Sequence, residues 1–268
     1  MRQKLGQHFL KEKETLSFIA KNTKLKEGET LIEIGPGHGE LTNFLLPEIN
    51  KLNGSLFCIE KDQGFFEKID TLLTSSSTKN RLFRGDVREI LPILPDAQKL
   101  KNYVIVGNIP YYITSFLFRI ISNLSIKPHT TTLLIQKEVA LRATQKPPHQ
   151  NLLSAIISSF ADAMIIKQVP RNQFSPPPKV DSAVIQLITH NQYKKEEIER
   201  YIVVTKALFK HPRKTILNNL READIEKTFK KNDIQNILTR LNIPENTRAQ
   251  VLSSETIMEL AKMLYNEK

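Results

Sequence analysis

Cysteine is almost absent from this chain. The single thiol, Cys58, excludes an internal disulfide and a cysteine-built zinc site, and fits a reducing compartment. Six histidines are scattered without ligand spacing, so nothing in the sequence marks a metal centre. Long apolar runs are also lacking. The two most apolar stretches, 103–124 and 152–166, are broken by Asn108, Arg119 and Asn123 in the first and by Asp162 in the second, which disfavours a membrane span and reads as buried core. The first ten residues carry Arg2 and Lys4 but no unbroken apolar segment. No secretory signal is therefore expected, and the expected location is cytoplasmic.

The chain is, by contrast, rich in positive charge. Thirty-nine Lys and Arg against twenty-eight Asp and Glu leave a net charge of +11, which favours an acidic partner, nucleic acid being the commonest. The excess is spread, +7 over residues 1–190 and +4 over residues 191–268, so neither part is a charged tail. With 268 residues, 40% hydrophobic and 25% charged, the chain has the balance of a globular fold, with room for one large domain and a small companion.

Short apolar runs alternate with helical patterns: Thr30 to Ile34, Ser55 to Ile59, Arg81 to Phe83, Tyr103 to Val106 and Thr131 to Ile135. That alternation predicts an α/β fold, a parallel sheet wrapped by helices, with ligands beyond the carboxyl ends of the strands. Helical stretches follow over Lys137 to Thr144 and Leu152 to Phe160, and then two further strands, Ala163 to Val169 and Ser182 to Thr189. Joined by the proline-rich turn Phe174-Ser175-Pro176-Pro177-Pro178-Lys179, these close a seven-stranded sheet, six strands parallel and one antiparallel. From about Tyr193 only helix periodicity remains, with Ser253-Ser254-Glu255-Thr256 as a helix start. The expected division is therefore residues 1–190 and a small helical domain over 191–268.

Polar residues at the strand ends carry the chemistry. Glu33-Ile34-Gly35-Pro36-Gly37-His38-Gly39 places glycines in alternate positions where a strand turns into a helix, so that a ligand can lie against the backbone. Glu60 ends the next strand, where a carboxylate can accept from both hydroxyls of a ribose. The two together indicate a nucleotide-like cofactor without saying which; NAD-binding folds use G-x-G-x-x-G rather than the G-x-G-x-G found here. Asp86 ends the third strand, placed either to accept from an adenine amino group or to cap the helix that follows.

The most specific segment is Gly107-Asn108-Ile109-Pro110-Tyr111-Tyr112. The 6-amino group of adenine is a poor nucleophile because its lone pair is delocalised into the ring. The Asn108 side-chain oxygen and the Ile109 carbonyl, turned outward by Pro110, can each take one amino hydrogen and orient the nitrogen for in-line attack on a methyl donor. Tyr111 offers a flat face for a base taken out of its stack. Further along, Lys206, Lys210, His211, Arg213 and Lys214 form a basic run with no acid between 206 and 214. It reads either as a solvated helix face or as a phosphate-binding surface.

These motifs, with Gly6-Gln7-His8-Phe9-Leu10, Gln136-Lys137-Glu138-Val139-Ala140, Phe174 to Val184 and Arg213-Lys214-Thr215, resemble the S-adenosylmethionine-dependent ribosomal RNA adenine dimethyltransferases, most closely the small-subunit (KsgA-type) branch. The resemblance implies a Rossmann-like class I methyltransferase sheet with a C-terminal helical RNA-docking domain, and S-adenosyl-L-methionine as cofactor. It implies that His8 and Leu10 cap that cofactor and that Gly35 contacts it through the backbone, while Gly37 and Gly39 shape the turn. Glu60 would hold the ribose, Asp86 the adenine, and Asn108 would lie between cofactor and target. Tyr111 and Phe174 would wall the target base, although on sequence alone a phenylalanine such as Phe174 is more often a core aromatic, and Lys210, Arg213 and Lys214 would meet RNA phosphates. The implied partner is 16S rRNA in the small (30S) ribosomal subunit, with no membrane and a monomeric enzyme. His8 and Tyr112 stand where the family often has asparagine, and residues 146–151 lack its usual Tyr-Gly. Three other readings remain: a macrolide-resistance methyltransferase acting on 23S rRNA, a ribosome-assembly factor whose methylation is secondary, and an NAD-dependent oxidoreductase, which has no use for Asn108 to Tyr111.

Overall fold

The computed structural model of the chain describes residues 8–77, 79–110, 113–190, 192–223 and 231–266. Among the described residues nine strands are present: β1 (Phe9–Leu10), β2 (Thr30–Ile34), β3 (Ser55–Glu60), β4 (Arg81–Arg84), β5 (Tyr103–Asn108), β6 (Thr130–Gln136), β7 (Ala161–Val169), β8 (Phe174–Ser175) and β9 (Ser182–Thr189). Seven of them form one sheet in the order β4-β3-β2-β5-β6-β9-β7. Strands β4, β3, β2, β5 and β6 run parallel and β9 runs antiparallel to β6. All five residues of β2 are buried, as are the first five of β5. Such unbroken burial, with no alternation, is what a sheet covered on both faces requires.

The expected strands are present, but four run on into their polar ends, taking in Glu60, Arg84, Asn108 and Gln136. The ladder continues there because backbone pairing does not depend on the side chain. Register aligns these ends: Ile34 sits opposite Ile59 of β3 and Gly107 of β5, and Glu60 opposite Arg84 of β4. Gly35, Glu60, Arg84 and Asn108 therefore come to one level at the carboxyl edge.

The crossovers from β2 to β6 carry α2 (Thr42–Lys51), α3 (Phe66–Ser76), α4 (Val87–Ile90), α5 (Leu94–Ala97) and α6 (Thr114–Asn123), while α1 (Lys13–Lys21) precedes β2 and α7 (Lys137–Ala143) follows β6. The buried faces of α1, α2 and α3 supply Leu16, Ile19, Leu45, Ile49, Ile69 and Leu73 to one apolar cluster with Leu31, Leu56 and Val104 of the sheet. One element has no counterpart among the sequence expectations. Strands β1 and β8 pair antiparallel as a separate ribbon, Phe9 opposite Ser175 and Leu10 opposite Phe174. Two residues per strand are too few to show a period, and the partners are remote in sequence, so no local pattern announces them.

The chain forms two compact units, one of Met1–Leu141 with Ala163–Thr189 and one of Arg142–Asp162 with His190–Lys268. A single cut near residue 190 does not describe this division, because Arg142–Asp162 packs with the C-terminal helices. That unit contains α8 (Leu152–Ser158), α9 (Lys195–Leu208), α10 (Ile216–Arg221), α11 (Lys231–Arg240) and α12 (Ser254–Asn266). The fully buried Tyr201 of α9 donates its hydroxyl to the Ala155 carbonyl of α8 at 2.9 Å, and the Gln150 N–H reaches the Gln250 carbonyl at 3.2 Å. A tyrosine buried with its hydroxyl satisfied is a specific tie.

Candidate active site

The carboxyl edge of the sheet opens into a cavity within the first unit, lined by the glycine loop, Glu60, Asp86, Asn108 and Ile109, and by His8, Leu10 and Phe174 from the ribbon. Eight of the expected site residues are thus brought to one wall. Gly35 adopts φ +66°, and a Cβ there would meet no atom within 4 Å; the backbone faces open space, a cradle a ligand can enter. Gly37 differs, because a Cβ would stand 2.9 Å from Cε1 of Phe9. It is required for close packing of β1 on the loop.

Glu60 is buried and holds three backbone N–H groups. Its Oε1 accepts from Lys61 and Asp62 at 2.8 Å each, and its Oε2 from Gly37 at 3.1 Å. These bonds fix the carboxylate at the rim and tie the glycine loop to the end of β3, while a carboxylate retains lone pairs for a ligand. Of the two readings of Asp86, the helix cap is present. Its side chain caps α4 by accepting from the Arg88 N–H at 2.9 Å, and it lines the cavity. Two cations also bind it, Arg88 through Nε at 2.9 Å and Nη2 at 2.6 Å, and Lys61 through Nζ at 2.9 Å. Hydrogen bonds from Arg88 above all hold its carboxyl well below the usual range.

Asn108 closes β5 and donates from Nδ2 to the His8 carbonyl at 3.1 Å. With the donor end so engaged, Oδ1 is the acceptor end of the amide. Ile109 is buried, and its N–H is bound to the Leu134 carbonyl at 3.0 Å, which fixes the orientation of the peptide before Pro110. The ribbon is held by His8 Nδ1 against the Pro176 carbonyl, 2.8 Å, by the Lys11 N–H to the Gln173 carbonyl, 2.8 Å, and by the Thr15 hydroxyl to Gln173 Oε1, 2.8 Å. Phe174 belongs to the core cluster, as its reading as a core aromatic expects, and lines the cavity as well. Tyr111 lies outside the described residues.

Several residues of this region carry no signal in the sequence. Glu33, quoted in the glycine motif without a role, is fully buried and lines the cavity. It accepts from the Thr42 hydroxyl at 2.7 Å and from the Cys58 thiol at 3.6 Å, and burial pushes its pKa up to about 7. The same burial raises the Cys58 thiol. His38 sits between Phe9 and Phe65, 4.6 Å from each ring centroid, and Lys11 pairs with Glu40 at 2.6 Å. These contacts seat β1 on the glycine loop. Lys61 is the clearest omission; its place directly after Glu60 was the available clue.

The basic run lies in the second unit, described by itself. Lys206, Lys210, Arg213 and Lys214 are all exposed. The fold brings to them an acid that the linear window lacks: Glu222 receives Lys214 Nζ on Oε1 at 2.5 Å, lies 3.3 Å from His211 Nε2 through Oε2, and through its carbonyl accepts from Lys210 Nζ at 3.3 Å. Fully buried Asn219 of α10 fixes the loop by bonding both the N–H and the carbonyl of His211 at 3.0 Å. Among the described residues Arg213 has no ion pair. No group of three or more His, Cys, Asp or Glu able to hold a metal ion occurs among the described residues, and none of their helices is long and apolar enough to cross a membrane.

Comparison with known proteins agrees with this geometry. Residues 1–264 match the sequence model of the family described as Ribosomal RNA adenine dimethylase. The chain is similar to Ribosomal RNA small subunit methyltransferase A of Mycoplasmopsis pulmonis, with 35% identity over 97% of each chain. It is also similar to the protein of the same name from Lysinibacillus sphaericus, 32% identical over 98% of this chain and 91% of the relative. Among solved structures, a dimethyladenosine transferase from Plasmodium falciparum superposes with a TM-score of 0.77 at 24% identity, covering 94% of this chain and 96% of that one. The 23S rRNA methyltransferase ErmE superposes with a TM-score of 0.70 at 21% identity, covering 96% and 99%. The seven-stranded sheet is thus that of the Rossmann-like class I methyltransferases, and the chain belongs to the ribosomal RNA adenine dimethylase family.

Proposed function

We propose that the protein transfers methyl groups from S-adenosyl-L-methionine to the 6-amino groups of two adjacent adenines in the 3′-terminal hairpin of 16S rRNA, acting as a cytoplasmic monomer on the small ribosomal subunit during its biogenesis. The observation that carries the reading is Asn108, held by the His8 carbonyl at the end of β5 and facing the same cavity as Glu60 and Asp86. A cradle of open backbone at Gly35 beside two carboxylates fits a nucleoside-bearing sulfonium. Bound there, that cofactor supplies an electrophilic methyl group on positively charged sulfur.

Glu60 accepts the ribose hydroxyls with the lone pairs its backbone bonds leave over. Asp86 accepts from the adenine amino group, its cations Lys61 and Arg88 drawing aside to make room. Leu10 and Phe174 exclude water from the cavity. Asn108 Oδ1 and the Ile109 carbonyl take the two hydrogens of the target amine and direct its lone pair at the methyl group. Tyr111 and Phe174 hold the extruded base between them. No strong base is needed, because the methylated ammonium releases its proton to solvent. Four such transfers complete the two dimethyladenines. In the second unit, Lys206, Lys210, Arg213 and Lys214 neutralise RNA phosphates.

The small-subunit substrate is favoured over 23S rRNA because the relatives at 32–35% identity bear the small-subunit name, whereas the likeness to ErmE concerns the fold. Transfer of labelled methyl groups to purified undermethylated small and large subunits, with the product nucleoside identified, tests the proposal. Dimethyladenosine in the small subunit alone is the expected result. Label in the large subunit moves the protein to the resistance branch, and tight subunit binding without label leaves an assembly factor.

A further inference from the structure

Helix α6 begins four residues beyond Pro110, and its sequence, TSFLFRIISN, contains no acid. Leu117, Phe118, Ile120 and Ile121 bury its inner face. Ser115, Phe116, Arg119 and Asn123 are left on the outside, with Phe116 37% exposed. The Arg119 guanidinium lies over the Phe116 ring, 4.5 Å from its centroid, and among the described residues it has no acidic partner. An isolated surface phenylalanine needs no explanation. This one has a particular position. Ile113, one turn earlier, lines the cavity, and positions three apart on a helix are neighbours. Ile113, Phe116 and Arg119 thus make one stripe running from the cavity wall outward, apolar, then aromatic, then cationic.

We propose that Phe116 and Arg119 form a stacking subsite for a nucleotide flanking the target adenine, the base lying on the Phe116 ring and its phosphate meeting Arg119. The inference rests on the reading of the cavity as the site of an RNA adenine. Extruding a base strips its neighbour of a stacking surface. An aromatic face one helical turn from the cavity lining replaces that surface without regard to base identity, and a guanidinium already parked on the ring reaches a phosphate by a small rotation. The absence of any acid on the helix keeps the stripe attractive to the RNA backbone.

The test measures methyl transfer to undermethylated small subunits over a range of monovalent salt, with the affinity for S-adenosylmethionine measured in parallel. Phe116→Ala is expected to raise KM for the subunit about tenfold at unchanged cofactor affinity, and Phe116→Tyr to restore it. Arg119→Gln is expected to raise KM and to lower the steepness of its salt dependence by about one phosphate contact, an effect that loss of packing alone does not produce. Wild-type KM in Phe116→Ala together with a wild-type salt slope in Arg119→Gln overturns the inference alone. If the unmodified protein methylates no small subunit, the proposed function fails and the inference falls with it.

Discussion

The two ends of the central sheet make opposite use of polar residues. At the amino end the polar groups around Glu29 and His129 are paired within the protein. Glu29 accepts from His129 Nε2 and from the Lys26 N–H at 2.9 Å each, the His129 N–H reaches the Tyr103 carbonyl at 3.1 Å, and the Thr189 N–H reaches the His129 carbonyl at 3.0 Å. At the carboxyl end Gly35, Glu60, Asp86 and Asn108 turn toward a cavity. Burial and pairing at one end serve the fold, while groups held in place but facing space at the other are available to a ligand.

Substitutions at the two ends test this contrast. The largest effect is expected at Asn108: Asn108→Ala should lower the rate of methyl transfer by about 10²–10³, the range for loss of one preorganised polar contact to a reacting group, while the thermal unfolding midpoint hardly moves. A variant that unfolds instead would make Asn108 a structural residue and erase the difference between the ends.

Glu33 sharpens the contrast, since it lies at the open end yet is fully buried. Its pKa is about 7 in the fold against an ordinary 4.5. Below about pH 4.5 both folded and unfolded states are protonated and the residue costs nothing; the cost grows as pH rises and is complete above about pH 7, ~3 kcal/mol. Glu33→Gln, which still accepts from Thr42, should match the wild type in chemical denaturation near pH 4 and exceed it by about that amount at pH 8. Equal stabilities at both pH values would mean that Glu33 ionises without penalty.

Glu60→Ala comes next, with a loss of cofactor affinity of roughly tenfold or more, as for a hydrogen bond to a charged group; titration calorimetry measures it, and an unchanged affinity removes Glu60 from the ligand wall. Smallest is the closed end. His129→Ala should lower stability by about 1 kcal/mol and leave the transfer rate as it was, and a slowed reaction there would break the comparison.

The open end was legible in the sequence for a physical reason. Short apolar runs end at or next to Gly35, Glu60 and Asn108, with Asp86 two residues beyond β4, and a parallel sheet brings such ends together whatever lies between. The cations on Asp86, the acid at Glu222 and the ribbon of β1 with β8 left no such mark, because each joins segments through a pairing without local period. The grouping of Arg142–Asp162 with the C-terminal helices escaped for the same reason: its helix pattern is as regular as any in the first unit, and only Tyr201 and Gln250, far along the chain, show where it packs.

The ribbon also imposes an order on synthesis. Phe9 and Leu10 leave a translating ribosome about 165 residues before Ser175 and Phe174, their partners, so this contact has one of the highest sequence separations among the described residues and closes late. A nascent chain can assemble β2 to β6 well before that. Until β8 emerges, the wall that His8, Leu10 and Phe174 give the cavity is incomplete.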